Sequence, residues 1–520
     1  MDKAFGILLH PVSLPNDEGI GTIGKESFEF IDKLKSLNAK IWQMLPIGPT
    51  GFGDSPYASF SAFAGNPYLI GLEKLAEQGF LSGEEYSDYK KKVRKNTKKD
   101  KINYGFINAN KNILLEKAAL NVLNKSLTDK ILKQNLSKFY FEEKYWLDDF
   151  AFFMTIKEIY SDRGNNIWNK TWDKDLILRN ADKITKITRQ YSEKINKHKI
   201  IQYLFFSQWA ELKRYAEKNN IKLMGDIPIF AAMDSADVWS NQDLFLLDKN
   251  AQPLKIAGVP PDFFSPSGQL WGNPLYNWEK MQKDNFAWWK KRIAKTLQLF
   301  DIIRIDHFRG FESCWSIPAN SKTAQNGEWI KVPGEALFSE IKKTYGSLPV
   351  IAEDLGVITD EVRKLRDDFN FPGMKILQFA FDKEDLKKTS PLNPYLPHNY
   401  SNNCVVYTGT HDNNTLSGWV KTLCDDLKKA IASYIDLHTN NKKTKTANKE
   451  LCMSLIYLCI FSKADTVIIP MQDILLLDEK ARMNSPSTIG ANWQWRMKKR
   501  SSANITESIL PDWIKLSGRI

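Results

Sequence analysis

The sequence predicts an α/β protein: a (β/α)8 TIM barrel with a large inserted, mainly helical subdomain and long loops at the C-terminal face. Three observations predict it. Eight short apolar runs recur along the chain, a long charged stretch of helical periodicity parts the second run from the third, and segments dense in Pro, Gly and aromatics follow those same two runs. Unbroken rather than alternating hydrophobicity marks strands covered on both faces, which favours parallel strands sheathed by helices. Eight such strands in order suit a closed barrel.

The runs are GILLHP at 6–11, IWQMLPI at 41–47, IKLMGDIPI at 221–229 and IIRID at 302–306, then PVIAED at 349–354, MKILQFAF at 374–381, CVVYTG at 404–409 and ADTVIIPMQD at 464–473. Residues 81–202 form the helical insertion. Within it EEKYWLDDFAFFMTIKEIY at 142–160 places Tyr145, Trp146, Asp149, Phe152, Phe153 and Ile156 near one helical face. The expected division is therefore a first part of the barrel at 1–80, the insertion at 81–202 and the rest of the barrel at 203–520. GPTGFGDSPYASFSAFAGNP at 48–67 and AGVPPDFFSPSGQLWGNPLYNW at 257–278 read as rigid, planar loops above strand ends. The second of them makes a covering loop at about 250–278 the expectation.

Size and composition narrow the class. At 520 residues and 59.9 kDa the chain is too long for an ordinary single core unless that core is a barrel with insertions. The formal charge of +12 lies partly in solvated runs such as Lys90, Lys91, Lys92, Arg94, Lys95, Lys98 and Lys99, without the motifs of a nucleic-acid reader. No nucleic-acid partner is expected. Five cysteines in no metal-binding spacing fit a reducing compartment. The opening MDKAFGILLHPVSLP turns polar at once, and LCMSLIYLCIF at 451–461 is too short to span a bilayer. A cytoplasmic protein with no membrane partner is expected.

Three carboxylates end three of the runs: Asp306 in the fourth, Glu353 in the fifth and Asp412 just beyond the seventh. Parallel barrels gather their strands' C-terminal ends into one bowl, so all three acids are expected to meet there. Retaining cleavage of a sugar–sugar bond needs a carboxylate nucleophile and a second carboxyl group, about 5–5.5 Å away, as acid and base. Arg304 lies two residues before Asp306 on the same strand face, where its guanidinium can keep that carboxylate ionised. Glu353 must begin protonated, and negative charge on Asp306 and Asp412 would favour this. His307 and His411 are expected to donate to sugar hydroxyls, and Asp412 to grip a hydroxyl pair. With six His and no HxH or HExxH, no metal is expected. Neither GxGxxG after a strand nor a Walker-type loop is present, so no organic cofactor is expected. The acids alone leave hydrolysis and transfer open, and a non-catalytic carbohydrate-binding protein would share the aromatic groove.

RIDHFRGF at 304–311, AEDLG at 352–356 and GTHDN at 409–413 resemble the retaining α-glucan enzymes of the α-amylase superfamily. With WQMLPIGPTGFGDSPYASFSAFAGNP at 42–67, GDIPIF at 225–230, GVPPDFFSPSGQLWGNPLY at 258–276, MQD at 471–473 and RMNSPSTIGANWQWR at 482–496, the chain more closely resembles the 4-alpha-glucanotransferase (amylomaltase) family. The resemblance implies Asp306 as nucleophile, Glu353 as acid/base and Asp412 as transition-state stabiliser. It implies Arg304 and His411 around the reacting ring, Asp226 as an acid at the third strand's end and Tyr57 as an aromatic platform. The loop Pro260 to Gly268 would be a mobile cover, with Phe263, Ser265, Trp271 and Asn273 as further substrate contacts. Asn484, Trp493 and Arg496 would pack the barrel's last segment. The substrates implied are α-1,4-glucans, maltooligosaccharides and glucose, joined by transfer to a 4-OH. Ser487 departs from the pattern, which commonly has glycine there; if the position needs positive φ, serine costs stability. The N-terminal starch-binding modules of larger members are not expected here.

Overall fold

Runs of Ile, Val and Leu pair edge to edge here because both of their faces are covered. The computed structural model describes residues 3–161, 166–261, 265–381, 392–439, 444–499 and 508–519. In chain order the strands are β1 (Ala4–Leu8), β2 (Ile41–Gln43), β3 (Lys222–Pro228), β4 (Lys255–Val259), β5 (Gln269–Pro274) and β6 (Ile302–Asp306). They continue with β7 (Ser313–Pro318), β8 (Glu328–Lys331), β9 (Val350–Ala352), β10 (Gly373–Ile376), β11 (Cys404–Tyr407) and β12 (Thr466–Pro470). A closed barrel runs β1-β12-β11-β10-β9-β6-β3-β2, so its strands follow one another in chain order, and each pairing is parallel. All eight expected runs are barrel strands.

Register decides which residues reach the bowl. Asp226 on β3 is opposite Arg304 on β6, and Pro228 is opposite Asp306. Ile303 and Ile305 are fully buried in a core shared with Trp289, Ile293, Phe338 and Ile341 of the surrounding helices. The alternation of a strand then turns Arg304 and Asp306 toward the barrel axis.

Between β2 and β3 lie the helices Gly83–Asn96, Tyr104–Ser126, Lys130–Ile159 and Ser192–Lys218, among others. The first starts on a capping box in which Ser82 and Glu85 satisfy each other's backbone N–H groups. In the helix Lys130–Ile159, Trp146, Phe152, Phe153 and Ile156 are buried as the periodicity predicts, whereas Tyr145 is 43% exposed. Asp149 turns outward to an ion pair with Arg179 at 2.8 Å. Phe152 stacks on Trp239 of the segment after β3, ring centroids 5.4 Å apart, so the helices share the barrel's core.

A second sheet, β5-β4-β7-β8, is antiparallel and was not expected. The segment read as a covering loop at about 250–278 is in large part the hairpin of β4 and β5. Its glycines and proline hide it from a propensity reading, yet one glycine makes it fit: a Cβ on Gly258 would lie 2.2 Å from the Gln269 carbonyl oxygen.

Ser487 has φ 64° and is exposed. The left-handed conformation that glycine adopts freely is therefore imposed on a serine. Ser487→Gly should raise stability by up to about 1 kcal/mol, read as a higher urea midpoint at unchanged slope; an unchanged midpoint would count against strain at this turn.

Candidate active site

Arg304 lies deep in the bowl, 3% exposed. Its Nη1 donates to both oxygens of Asp226 at 2.8 and 2.6 Å, and its Nη2 lies 3.0 Å from Asp306 Oδ1. Tyr57 donates its hydroxyl to Asp226 Oδ2 at 2.7 Å. Burial works against the Arg304 charge, but Asp226 and Asp306 outweigh it and hold the guanidinium above its ordinary range. Burial pushes the Asp226 carboxyl up, and the guanidinium opposes it. Burial and the Asp226 charge also raise the Tyr57 phenol, which keeps it a donor. Asp226 is thus spent on holding Arg304 and Tyr57, while Asp306 keeps solvent contact on its far side, with its side chain 29% exposed.

Glu353 follows β9 and accepts two backbone hydrogen bonds, from His307 N–H at 2.7 Å and Leu355 N–H at 3.2 Å. The first comes from the residue next to Asp306, so Asp306 and Glu353 are neighbours in the bowl. His307 can aim that N–H because its backbone is left-handed, φ 51°, a strained state for a non-glycine. Burial pushes the Glu353 carboxyl up to about 8; Arg304 opposes this and Asp306 adds to it. The expected push from Asp306 is present, and Asp354, the next residue in the chain, pushes the same way. Burial lowers the His307 ring to about 4, so it is neutral at pH 7. Its Nε2 is buried without a partner among the described residues, and Trp271 lies edge-on to it, centroids 4.8 Å apart.

Asp412 and His411 close the opposite side. Asn484 Nδ2 donates to Asp412 Oδ1 at 2.6 Å, Asn484 N–H donates to the His411 carbonyl at 3.1 Å, and Arg482 Nη2 donates to the Asp412 carbonyl. His411 Nε2 lies 3.3 Å from Asp412 Oδ1. The Tyr57 ring stacks on His411 at 5.1 Å, and Trp493 lies against both rings at 5.8 and 5.9 Å. The tail block thus does more than pack a last segment: Asn484, Arg482 and Trp493 hold Asp412, His411 and Tyr57 directly. Two of the three residues assigned to packing also pack: Trp493 is buried in the core around β1, β11 and β12, and Arg496 bonds the Leu14 and Asn16 carbonyls. Sequence offers one signal for the contacts with the site, the block RMNSPSTIGANWQWR itself, and nothing that pairs it with GTHDN.

The remaining expected contacts divide. Phe263 lies outside the described residues. Ser265 Oγ donates to the Gly268 carbonyl at 2.7 Å and shapes the turn of the covering loop. Asn273 Nδ2 donates to the Ala231 carbonyl at 2.9 Å, which ties β5 to the loop after β3. Trp271 is 37% exposed beside His307. Among the described residues no group of three or more His, Cys, Asp and Glu is placed to hold a metal ion, and no helix is long and apolar enough to cross a membrane.

A family model described as 4-alpha-glucanotransferase matches residues 9–502. The chain belongs to the 4-alpha-glucanotransferase family. It is 47% identical over 498 residues to the 4-alpha-glucanotransferase of Clostridium butyricum, covering 95% of this chain and 96% of that one. To the 4-alpha-glucanotransferase of Thermus thermophilus it is 43% identical over 499 residues, covering 96% and 95%. The amylomaltase from Streptococcus agalactiae in complex with acarbose has a TM-score of 0.91 at 39% identity over 99% of both chains.

Arg304→Met would leave Asp226 and Asp306 together without their cation. Unfolding free energy at pH 7 should fall by about 3–5 kcal/mol. The loss should shrink at pH 4, where Asp226 takes up a proton in the variant. Urea unfolding at both pH values reads it, and equal losses would show that charge is not the cause.

Proposed function

We propose that this protein is a 4-alpha-glucanotransferase that moves an α-1,4-glucan segment between maltooligosaccharides, or to glucose, by double displacement with retention. The observation that carries the reading is the opposed state of two neighbouring carboxyl groups. Asp306 is ion-paired to Arg304, while the Glu353 carboxyl is raised to about 8. That is the division a nucleophile and a general acid need.

The steps follow from these charges. Asp306 attacks the anomeric carbon of the donor as Glu353 gives its proton to the departing glycosidic oxygen. The bond formed is a glycosyl ester on Asp306 and the bond broken is the α-1,4 link. Ester formation removes the Asp306 charge that helped keep Glu353 protonated, while Arg304 stays. The Glu353 carboxylate is then easier to sustain, and it takes the proton of the incoming 4-OH as that oxygen displaces Asp306. Two inversions give retention. Asp412, held by Asn484 and flanked by His411, is assigned to hydroxyls of the distorted ring, with Tyr57 as the platform beneath it. His307 supports Glu353 through its backbone and, by this reading, faces a substrate hydroxyl with its neutral ring.

Transfer rather than hydrolysis is favoured by the relatives, which carry transferase names over nearly the whole of both chains. The hairpin of β4 and β5 would hold an acceptor sugar and keep water from the ester. The cysteines are free thiols, which suits a reducing, cytoplasmic setting.

Incubation with maltotriose should give glucose together with oligosaccharides longer than the substrate, followed by chromatography over time. Hydrolysis products alone would sink the transfer reading. Asp306→Ala should abolish turnover. The sign of the pH dependence is set by Glu353, whose protonated form is the active acid in the free enzyme. It is about nine-tenths protonated at pH 7 and about one-tenth at pH 9. kcat/KM should therefore fall as pH rises through about 8, and Glu353→Gln should lose that limb along with most of the activity.

A further inference from the structure

The MQD motif at 471–473 has no part in the chemistry above, yet its aspartate is among the most buried charges of the molecule. β12 ends at Pro470, and Asp473 sits in the short helix Met471–Ile474 that follows, 1% exposed. Its Oδ2 accepts from the Thr408 hydroxyl at 2.6 Å and its Oδ1 from Leu416 N–H at 2.7 Å. These donors stand at the two ends of one segment. That segment leaves β11 at Thr408, carries His411 and Asp412, and enters the helix Leu416–Thr422.

The chemistry of the two donors explains why the residue is an acid. A backbone N–H can only donate, and the Thr408 hydroxyl also donates here, so two acceptors are needed at one buried point. A carboxylate supplies both, whereas an amide supplies one and adds donors of its own. Burial pushes the Asp473 carboxyl up to about 6, and the two hydrogen bonds resist that push. Retaining a buried carboxylate against desolvation calls for a return. The interior of the segment has its own ties: Gln378 Nε2 donates to the Asn414 carbonyl at 2.9 Å, and Asn413 Oδ1 accepts from Thr410 N–H at 2.8 Å. Those ties shape the loop, but Asp473 joins both of its ends to the neighbouring strand.

We propose that Asp473 is a positioning residue, fixing the Thr408–Leu416 loop to the end of β12 and so setting where the Asp412 carboxylate meets the reacting ring. The proposal rests on the reading of Asp412 given above. At 1% exposure Asp473 does not touch substrate and acts through the loop alone.

The test uses the full chain and four variants: Asp473→Asn, Thr408→Val, Asp412→Asn and the double Asp412→Asn/Asp473→Asn. Displacing a reacting group by an ångström costs on the order of a hundredfold. Asp473→Asn should accordingly lower kcat for maltotriose disproportionation by about ten- to a hundredfold, with KM changed by less than about twofold. Thr408→Val, which removes one of the two donors, should lower kcat in the same sense and by less; it also carries the test if Asp473→Asn does not fold. In the Asp412→Asn background, read by single turnover, Asp473→Asn should cost less than about twofold more. A folded Asp473→Asn with unchanged kcat overturns the proposal, as does an equal loss in both backgrounds, which is the mark of a structural role. An active Asp412→Asn enzyme would instead overturn the reading of Asp412, and this inference with it.

Discussion

One guanidinium shared by two carboxylates governs the bowl. Arg304 is buried between Asp226 and Asp306, and a buried cation persists only where its hydrogen-bonding edges are met by good acceptors. The β3–β6 register supplies them, since it sets Asp226 opposite Arg304 and leaves Asp306 at the strand's open end. A slip of β6 by one residue would turn Arg304 and Asp306 away from the axis and from Asp226. Through Asp226 the same charge reaches Tyr57, and through the Tyr57 ring it reaches His411 on the opposite wall. The two halves of the site are thus joined through a residue that does no chemistry.

Strain is placed beside this cluster rather than within it. His307 and Trp493 hold left-handed backbones, at φ 51° and 64°, one beneath Glu353 and one beside His411 and Tyr57. Neither is glycine, so each conformation is held by its surroundings. At His307 the consequence is direct: its N–H points at Glu353, and its ring turns under Trp271. A hydrogen bond to a carboxylate favours the charged form, but burial wins, leaving an acid that gives up its proton within reach of neutral pH. The group can therefore act first as acid and then as base without a large energetic penalty in either state.

The barrel was legible because parallel strands buried on both faces write themselves as unbroken apolar runs. The β5-β4-β7-β8 sheet was not, for the opposite reason. β5 and β8 keep exposed faces, and Gly258, Gly272 and Pro274 interrupt the pattern a propensity reading needs. The three acids stood out as strand ends, and Arg304 as a neighbour two residues away. What the sequence withheld was pairing over long separations. Nothing in RMNSPST says that Asn484 will meet Asp412, and nothing in GDIPIF says that Asp226 will pair with Arg304. That Asp354 adds its charge to that of Asp306 near Glu353 depends on distances in space, which strand-end spacing does not encode. Ser265 and Asn273 show the same limit: polar residues in a loop of the right character turn out to bond backbone carbonyls, Ser265 in its own loop and Asn273 in the loop after β3.

The two walls of the bowl are held by different physics, and the difference suits their tasks. On the β3, β6 and β9 wall, fixed charges set protonation states, and in the proposed mechanism the groups there gain and lose protons or a covalent bond. On the β11 and β12 wall, the Asp412 carboxylate accepts from the Asn484 amide and its loop is bonded to Asp473 through a hydroxyl and a backbone N–H, while the Arg482 guanidinium is spent on the Asp412 backbone carbonyl. Such contacts fix position, and the carboxylate oxygen itself is bonded by an amide rather than by a guanidinium. Were Arg482 paired with the Asp412 carboxylate as Arg304 is with Asp306, its charge would oppose the positive ring of the proposed mechanism, and the acid assigned to that ring would already be neutralised. Anchoring the side chain through an amide keeps the carboxylate in place with its charge available to that ring.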